Sequence, residues 1–191
     1  MAPTAREPLM EMLEEIGPSE SKFIAAQRMF FIGTAPLSGE GHVNVSPKGY
    51  TSFAQLDSTR VAYIDLGGSG IETHAHLREN GRICIMFCAF EGSPLILRVY
   101  GKGQGHQYGT PGFDALRSHF PEIDVPVRGI IEVEVTKVQR SCGWAVPKFD
   151  FIEERSRLKE HNAKRTQEEH MTRRIATNGN SIDGLPGLEA L

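Results

Sequence analysis

Residues 60–90, RVAYIDLGGSGIETHAHLRENGRICIMFCAF, contain the change of pattern that decides the fold. The apolar run that ends at Asp65 predicts a buried strand, the glycines after it predict a turn, and ETHAHLREN predicts a short helix. Gly81 stands where a helix C-cap is common, and RICIMFCAF again has the composition of a buried strand. We therefore predict a strand, turn, helix and strand with a cluster of glycines at the centre.

The flanking sequence consists mostly of alternating strands joined by short turns. MFFIGTAP (29–36) and HVNVSPKG (42–49) flank a Ser-Gly-Glu-Gly turn and predict a hairpin. LILRVYGKGQ (95–104) predicts the antiparallel partner of the strand before it, and VRGIIEVEVTKVQ (127–139) predicts a long strand. Six or so strands with hairpin-length turns and a few short helices indicate a mainly β fold, an antiparallel barrel with helical appendages.

The chain is predicted to divide into four segments. These are N-terminal helices (1–28), the barrel (29–149), a charged C-terminal helix (150–176) and a flexible tail (177–191). A capping box at Thr4-x-x-Glu7 predicts the start of the first helix. Charges of both signs alternate along the C-terminal helix, which favours a solvated face over packing along a partner subunit.

Composition excludes several classes of function. The 191 residues include 21 Lys and Arg against 24 Asp and Glu, a net charge of −3 that does not favour binding to nucleic acid or an anionic membrane. No apolar run approaches the roughly 18 residues of a membrane span. The acidic N-terminal stretch lacks the apolar core of a signal peptide, and three cysteines are an odd number. A cytoplasmic protein with reduced thiols is expected.

The glycine cluster has two interpretations that the residues alone leave equally open. Backbone amides at a helix start can bind phosphate, glycine permits close approach, and Ser69 and Thr73 can add hydroxyl donors. The alternative is an ordinary turn before a helix. A dinucleotide fold is disfavoured because Thr73 stands where the third glycine of the motif belongs. Lys48 is either a solvated loop charge or a counter-charge for that phosphate.

No metal site or catalytic side chain is predicted. His74 and His76 are two residues apart on a helix and diverge, and the other histidines are scattered along the chain. The sequence has no nucleophile-elbow motif, and no carboxylate pair stands out for acid–base chemistry.

Three stretches, in the order FFIGTAPLSGEGHVNVSPKG, residues 60–92 and LILRVYGKGQ, resemble the pyridoxamine 5′-phosphate oxidase-related, FMN-binding split-barrel family. VNVSPKG and ET-x-AHL resemble a short bacterial and fungal subgroup of it. The resemblance covers about residues 20–150. It implies a six-stranded split barrel that forms a homodimer, with FMN in the cleft between the subunits.

The resemblance also implies which residues bind the flavin. Lys48 matches the lysine that ends the flavin-contacting strand, and Asp65 lies in the stretch beneath the flavin phosphate and ribityl chain. The family's strand arginine falls on Val43 and its basic pair on Thr73 and His74, which weakens charge-assisted contacts to phosphate. The predicted cofactor-binding residues are Asn44, Ser46, Lys48, Asp65, Leu66, Ser69, Gly70, Thr73, His74 and Trp144.

These observations support an FMN-dependent oxidoreductase of unknown substrate. Oxidation of pyridoxamine phosphate itself is disfavoured, because the basic residues and a C-terminal Arg-x-His motif are missing. A non-enzymatic module that holds a flavin or another phosphorylated ligand is the alternative. A third hypothesis is deazaflavin or haem, which related split barrels bind.

Overall fold

A computed structural model of the protein describes residues 10–123 and 125–190. The predicted capping box at Thr4 and Glu7 lies outside the described residues. The elements of the described chain are, in order, β1 (Met10–Leu13), α1 (Pro18–Ala26), β2 (Phe30–Thr34), β3 (Asn44–Lys48), β4 (Phe53–Gln55), β5 (Arg60–Asp65), α2 (Glu72–Asn80), β6 (Arg82–Cys88), β7 (Ile96–Gln107), α3 (Pro111–Arg117), β8 (Gly129–Ser141), α4 (Arg157–Asn162) and α5 (Gln167–Thr177).

The strands form one antiparallel sheet that curls into a split barrel. Its order is β3-β2-β6-β7-β8-β5-β4, and β1 pairs with the far end of β8, beyond β5. A register shift at Tyr100 and Gly101 interrupts the long β7–β8 ladder, and such irregularities bend a strand. The mainly β, antiparallel barrel expected from the sequence is confirmed. Within the described residues the sheet has eight strands rather than the six or so expected, because β1 and β4 add to the predicted set.

The core fills the inside of the curl. Phe30, Phe53, Tyr63 and Phe87 contact one another there, with ring centroids 5.2–5.7 Å apart. β5 is buried on both faces, since its other face packs against α3 through a second apolar cluster that includes Phe113. A strand buried on both faces needs a continuous apolar run, and this explains the composition of residues 61–64.

The N-terminal segment differs from the prediction. Residues 10–13 form strand β1 instead of the predicted helix, and α1 is the one helix among the described residues before Phe30. The apolar spacing of Leu9, Leu13 and Ile16 indicated a helix. The free edge of β8 instead offers β1 four paired residues, and backbone pairing with that edge outweighs local helical preference.

The C-terminal segment also differs from the prediction of one solvated helix and a flexible tail. Residues 150–156 have no regular structure, and the helical part is divided into α4 and α5. α5 buries His170, Met171 and Arg174 against the barrel of its own chain. The described tail residues fold back on the protein, with Leu188 buried and Gly187 hydrogen-bonded to Gly179. None of the described helices is both long enough and apolar enough to cross a membrane.

Candidate functional site

The glycine loop, residues 66–70, joins β5 to the start of α2. Each of its carbonyl groups accepts a hydrogen bond from a side chain that lies later in the chain. From Leu66 to Gly70 the donors are Asn162 (3.1 Å), Arg174 (2.9 Å), Arg174 again (2.7 Å), Asn178 (3.1 Å) and Arg128 (2.7 Å). The C-terminal half of the chain therefore holds the backbone of this loop in one conformation.

The amide side of the same loop has no such partners. The backbone N–H groups from Gly68 to Thr73 meet no hydrogen-bond acceptor within the described residues, and Gly68 and Ser69 are exposed. Unpaired amides at the positive end of a helix favour an anion. The Glu72 carboxylate lies beside Gly70 and accepts a hydrogen bond from the Ile182 amide (3.3 Å), so an anion bound there would displace it.

A buried charge cluster lies beneath the loop. The Asp65 carboxylate accepts hydrogen bonds from Arg128 (2.8 Å) and from the Gly67 amide (3.0 Å), and its Oδ2 lies 2.9 Å from His74 Nε2. Burial alone would raise the pKa of Asp65, but the charge of Arg128 and the hydrogen bond with His74 hold this pKa well below its ordinary value. The side chains of Asp65 and His74 therefore bind each other and shape the loop.

Strand β3 and helix α2, which the sequence could not place relative to each other, are in contact. Asn44 Nδ2 donates to Thr73 Oγ1 (3.1 Å) and to Thr34 Oγ1 (3.0 Å). The Thr34 hydroxyl lies 3.0 Å from Nδ1 of the buried His76. This network connects the two sequence motifs into one site.

Ser46 and Lys48 share the inner face of β3 with Asn44, because side chains two residues apart lie on one face of a strand. The Ser46 hydroxyl is buried and has no hydrogen-bond partner among the described residues. Lys48 is close enough to Asp65 for its charge to contribute to the low pKa of that carboxyl. It also lines a cleft of about 990 Å³ whose aromatic side chains are Phe31, Tyr50, Phe90, Phe149 and Phe151.

Two predicted residues do not present a side chain to this site. Leu66 is buried, and its carbonyl is bound by Asn162. Trp144 is 72% exposed and lines a separate cleft with Phe23 and Arg140. The structure therefore brings together Asn44, Ser46, Lys48, Asp65, Ser69, Gly70, Thr73 and His74, and it leaves Trp144 apart from them within one chain.

The residues that sequence reasoning missed are the four that hold the loop carbonyls: Arg128, Asn162, Arg174 and Asn178. One signal was present in the sequence. His170, Arg174 and Asn178 recur every four residues, which places them on one face of a helix, and Met171 adjoins that face. The mixed charges of the segment concealed this buried polar face.

Comparison with known proteins gives the family. The family described as pyridoxamine 5′-phosphate oxidase matches residues 18–142. The chain belongs to this family. A family member from Aspergillus flavus, the pyridoxamine 5′-phosphate oxidase family protein ustO, is 37% identical over 182 residues, and the match covers 86% of this chain and 72% of that protein.

Solved structures also resemble the chain at low identity. HupZ from Group A Streptococcus is 19% identical with a TM-score of 0.47, and the match covers 64% of this chain and 91% of that one. An FMN-binding protein from Syntrophomonas wolfei is 16% identical with a TM-score of 0.44, and the match covers 62% and 80%. These two likenesses are too weak to carry an argument about function.

Proposed function

We propose that the protein binds FMN, with the flavin phosphate on the glycine loop. The observation that carries this proposal is the run of backbone amides from Gly68 to Thr73, at the start of α2, that have no acceptor among the residues the structure describes. A phosphate monoester can accept several of these N–H groups at once, and the helix dipole favours its charge. Membership of the pyridoxamine 5′-phosphate oxidase family supports the choice of a flavin as the phosphorylated ligand.

The other residues of the site fit the remainder of such a ligand. Lys48 lines the aromatic cleft and its charge acts on Asp65 beneath the loop, so its ammonium group can bind phosphate or a polar ring edge. The buried Ser46 hydroxyl, which no other described residue binds, can hydrogen-bond a ligand that enters beside β3. The aromatic walls of the cleft suit a planar ring system.

Bound FMN would supply hydride or electron transfer, so the function proposed is a flavin-dependent oxidoreductase. The protein would orient the flavin and exclude water, and no described side chain is assigned a catalytic proton transfer. We propose a substrate other than pyridoxamine 5′-phosphate, because the C-terminal Arg-x-His substrate motif of the oxidase is missing from the sequence. We also propose a cytoplasmic location, which the three free cysteines support.

A non-enzymatic flavin-binding module is the second candidate, and the absence of free basic side chains on the described loop favours it. Addition of NADPH and an electron acceptor to the flavin-loaded protein separates the two candidates. If NADPH reduces the bound flavin and the acceptor reoxidises it, the oxidoreductase is supported. If the flavin is not reduced, the binding module is supported. The absorbance spectrum of the protein as isolated distinguishes FMN from deazaflavin and haem.

Gly70→Val is expected to weaken FMN binding by about tenfold or more, the equivalent of one or two lost hydrogen bonds to a charged group. A Cβ at Gly70 would collide with the Glu72 carboxylate beside the amides, and both side chains would then crowd the phosphate position. Quenching of FMN fluorescence measures the affinity.

Gly39→Val is the matched control, because nothing lies within 4 Å of a Cβ at that position. It should leave FMN affinity unchanged. Equal affinity in the two variants, or a wild-type protein that does not quench FMN, would contradict placement of the phosphate on this loop.

We further propose that the protein is a homodimer with the flavin between its subunits. The outer face of the sheet supports this, because Val43 and Val45 are 71% and 67% exposed next to the turn before β3. The strand register places Phe31 and Met86 on the same face as Val45. Phe31 and Met86 are half-buried, and an apolar face that continues from them to two exposed valines is typical of a protein–protein interface.

Val45→Glu is expected to convert the dimer into a monomer and to abolish FMN binding with it, because a charge would be buried in an apolar interface. Light scattering measures the mass. Ile152→Glu is the control, since Ile152 is 90% exposed and lies outside the sheet. A wild-type monomer, or a Val45→Glu dimer, would refute this interface.

A further inference from the structure

We propose that Arg174 of α5 supplies the positive charge for the ligand phosphate, in place of the basic pair that α2 lacks. This inference rests on the proposed binding of a phosphorylated ligand at the glycine loop. It assigns a ligand-binding role to the C-terminal helix, which lies outside the region that matches the family.

The guanidinium group of Arg174 lies against the glycine loop. Arg174 donates to the Gly67 carbonyl (2.9 Å) and the Gly68 carbonyl (2.7 Å), and the side chain crosses directly behind the loop. A Cβ on Gly67 would lie 3.1 Å from Arg174 Nε, which confirms how closely the arginine approaches the backbone. Its charge therefore lies behind the same peptide groups whose amides are unpaired.

The buried cluster around Asp65 holds more positive than negative charge. Arg128 is paired with Asp65, but no carboxylate within the described residues lies within 4.0 Å of Arg174. Arg174 is nevertheless only 8% exposed, and its Nε has no hydrogen-bond partner among those residues. Burial of a cation without a counter-ion is unfavourable, so the site has a positive charge that an anion would balance.

The neighbouring groups do not supply that anion. His170 lies beside Gly67, and burial, with the charges of Arg174 and Arg128, lowers its pKa to about 4. It is therefore neutral near pH 7. Burial and the charge of Arg128 also lower the pKa of Arg174 itself, but an arginine remains protonated at that pH.

The carbonyls of the loop differ in the charge of the side chains that bind them. The carbonyls of Leu66 and Ser69 are bound by the neutral amides of Asn162 and Asn178. Neutral donors therefore suffice for two of the five loop carbonyls, whereas Arg174 binds two and Arg128 binds one. A charged side chain at the centre of the loop is explained if the loop also binds a dianionic phosphate group, because a charge-assisted contact is stronger than a neutral one.

The test compares FMN with riboflavin, which has the same ring and side chain but no phosphate. Arg174→Gln is expected to weaken FMN binding about tenfold or more, as for the loss of one charge contribution, and to change riboflavin binding less than about twofold. Arg174→Lys restores the charge and should recover most of the FMN affinity. Arg173→Gln is the matched control, because it removes an exposed charge from the adjacent position of α5.

Each outcome decides the question. If Arg174→Gln lost equal affinity for FMN and for riboflavin, or lost affinity for neither, the proposed role of the charge would be wrong. Failure of Arg174→Lys to recover FMN affinity would overturn it as well. If the wild-type protein binds neither flavin, the proposed function fails, and the inference is then decided by inorganic phosphate. If phosphate raises the melting temperature of the wild type and of Arg173→Gln but not of Arg174→Gln, the role of the charge at this loop is supported. If phosphate does not raise the melting temperature of the wild type, that role is refuted.

Discussion

Asp65→Asn is expected to lower the free energy of unfolding by about 3–5 kcal/mol, the usual effect of removing one partner from a buried ion pair. The carboxylate is 5% exposed and accepts hydrogen bonds from Arg128 and Gly67. Asparagine would leave Arg128 as a second buried cation without a counter-ion, beside Arg174. Denaturant unfolding of the wild type and the variant measures the difference.

Asp57→Asn is the control for this experiment. Asp57 also pairs with an arginine, Arg60, but both side chains are exposed. Its replacement should change stability far less, because water screens an exposed pair. If Asp65→Asn were no more destabilising than Asp57→Asn, the buried cluster would not stabilise the fold.

The same cluster predicts a pH dependence. The pKa of Asp65 is lower in the folded protein than in the unfolded chain, so the ionised carboxylate favours folding. This contribution is complete above the unfolded pKa of about 3.9 and is lost as the pH falls through the lower folded value. The stability difference between the wild type and Asp65→Asn should therefore be constant from pH 7 to about pH 4 and shrink at lower pH. A difference that already shrinks between pH 7 and pH 5 would show that another group is responsible.

Gly67→Ala is expected to destabilise the protein by about 2–5 kcal/mol, as backbone strain and overpacking add. Gly67 has a φ of +75°, which favours glycine, and its added Cβ would lie 3.0 Å from His170 Nε2 and 3.1 Å from Arg174 Nε. The methyl group would push Arg174 away from the loop carbonyls. FMN affinity should fall together with stability.

Gly184→Ala is the control that separates the two contributions. Gly184 has the same φ of +75°, and nothing lies within 4 Å of a Cβ there. It should show the backbone strain alone, about 1–2 kcal/mol, and unchanged FMN affinity. If Gly67→Ala and Gly184→Ala were equally destabilising, the side chains of α5 would not be packed tightly against Gly67.

The predictions from sequence were right where the signal is local. The hairpin of β2 and β3 and the buried strand β6 each carry their pattern within a few residues, and all three formed as expected. Strand β1 was mistaken for a helix, since four residues that alternate beside a helical spacing are ambiguous until a sheet edge is available to pair with them.

The candidate site divides in the same way. The glycine loop and the helix after it could be predicted from their own residues, whereas a ligand-binding role for Lys48 came only from the resemblance to the family. Whether β3 meets α2 could not, because the hydrogen bond between Asn44 and Thr73 joins positions 29 apart. The side chains that bind the loop carbonyls could not be identified either. Arg174 and Gly67, for example, are 107 positions apart and meet only when the chain has folded.

The sequence by itself therefore determined the antiparallel barrel and the family, and it located the glycine loop without deciding between a phosphate site and an ordinary turn. Periodicity and glycine placement act over a few residues, and this is why they can be interpreted without a structure. Only the tertiary structure showed which side chain places a positive charge beside that loop. Arg174 lies in a segment of mixed charges that is indistinguishable in sequence from a solvated helix. Packing of α5 against the barrel buries this arginine without a carboxylate partner among the described residues, behind the backbone of the loop.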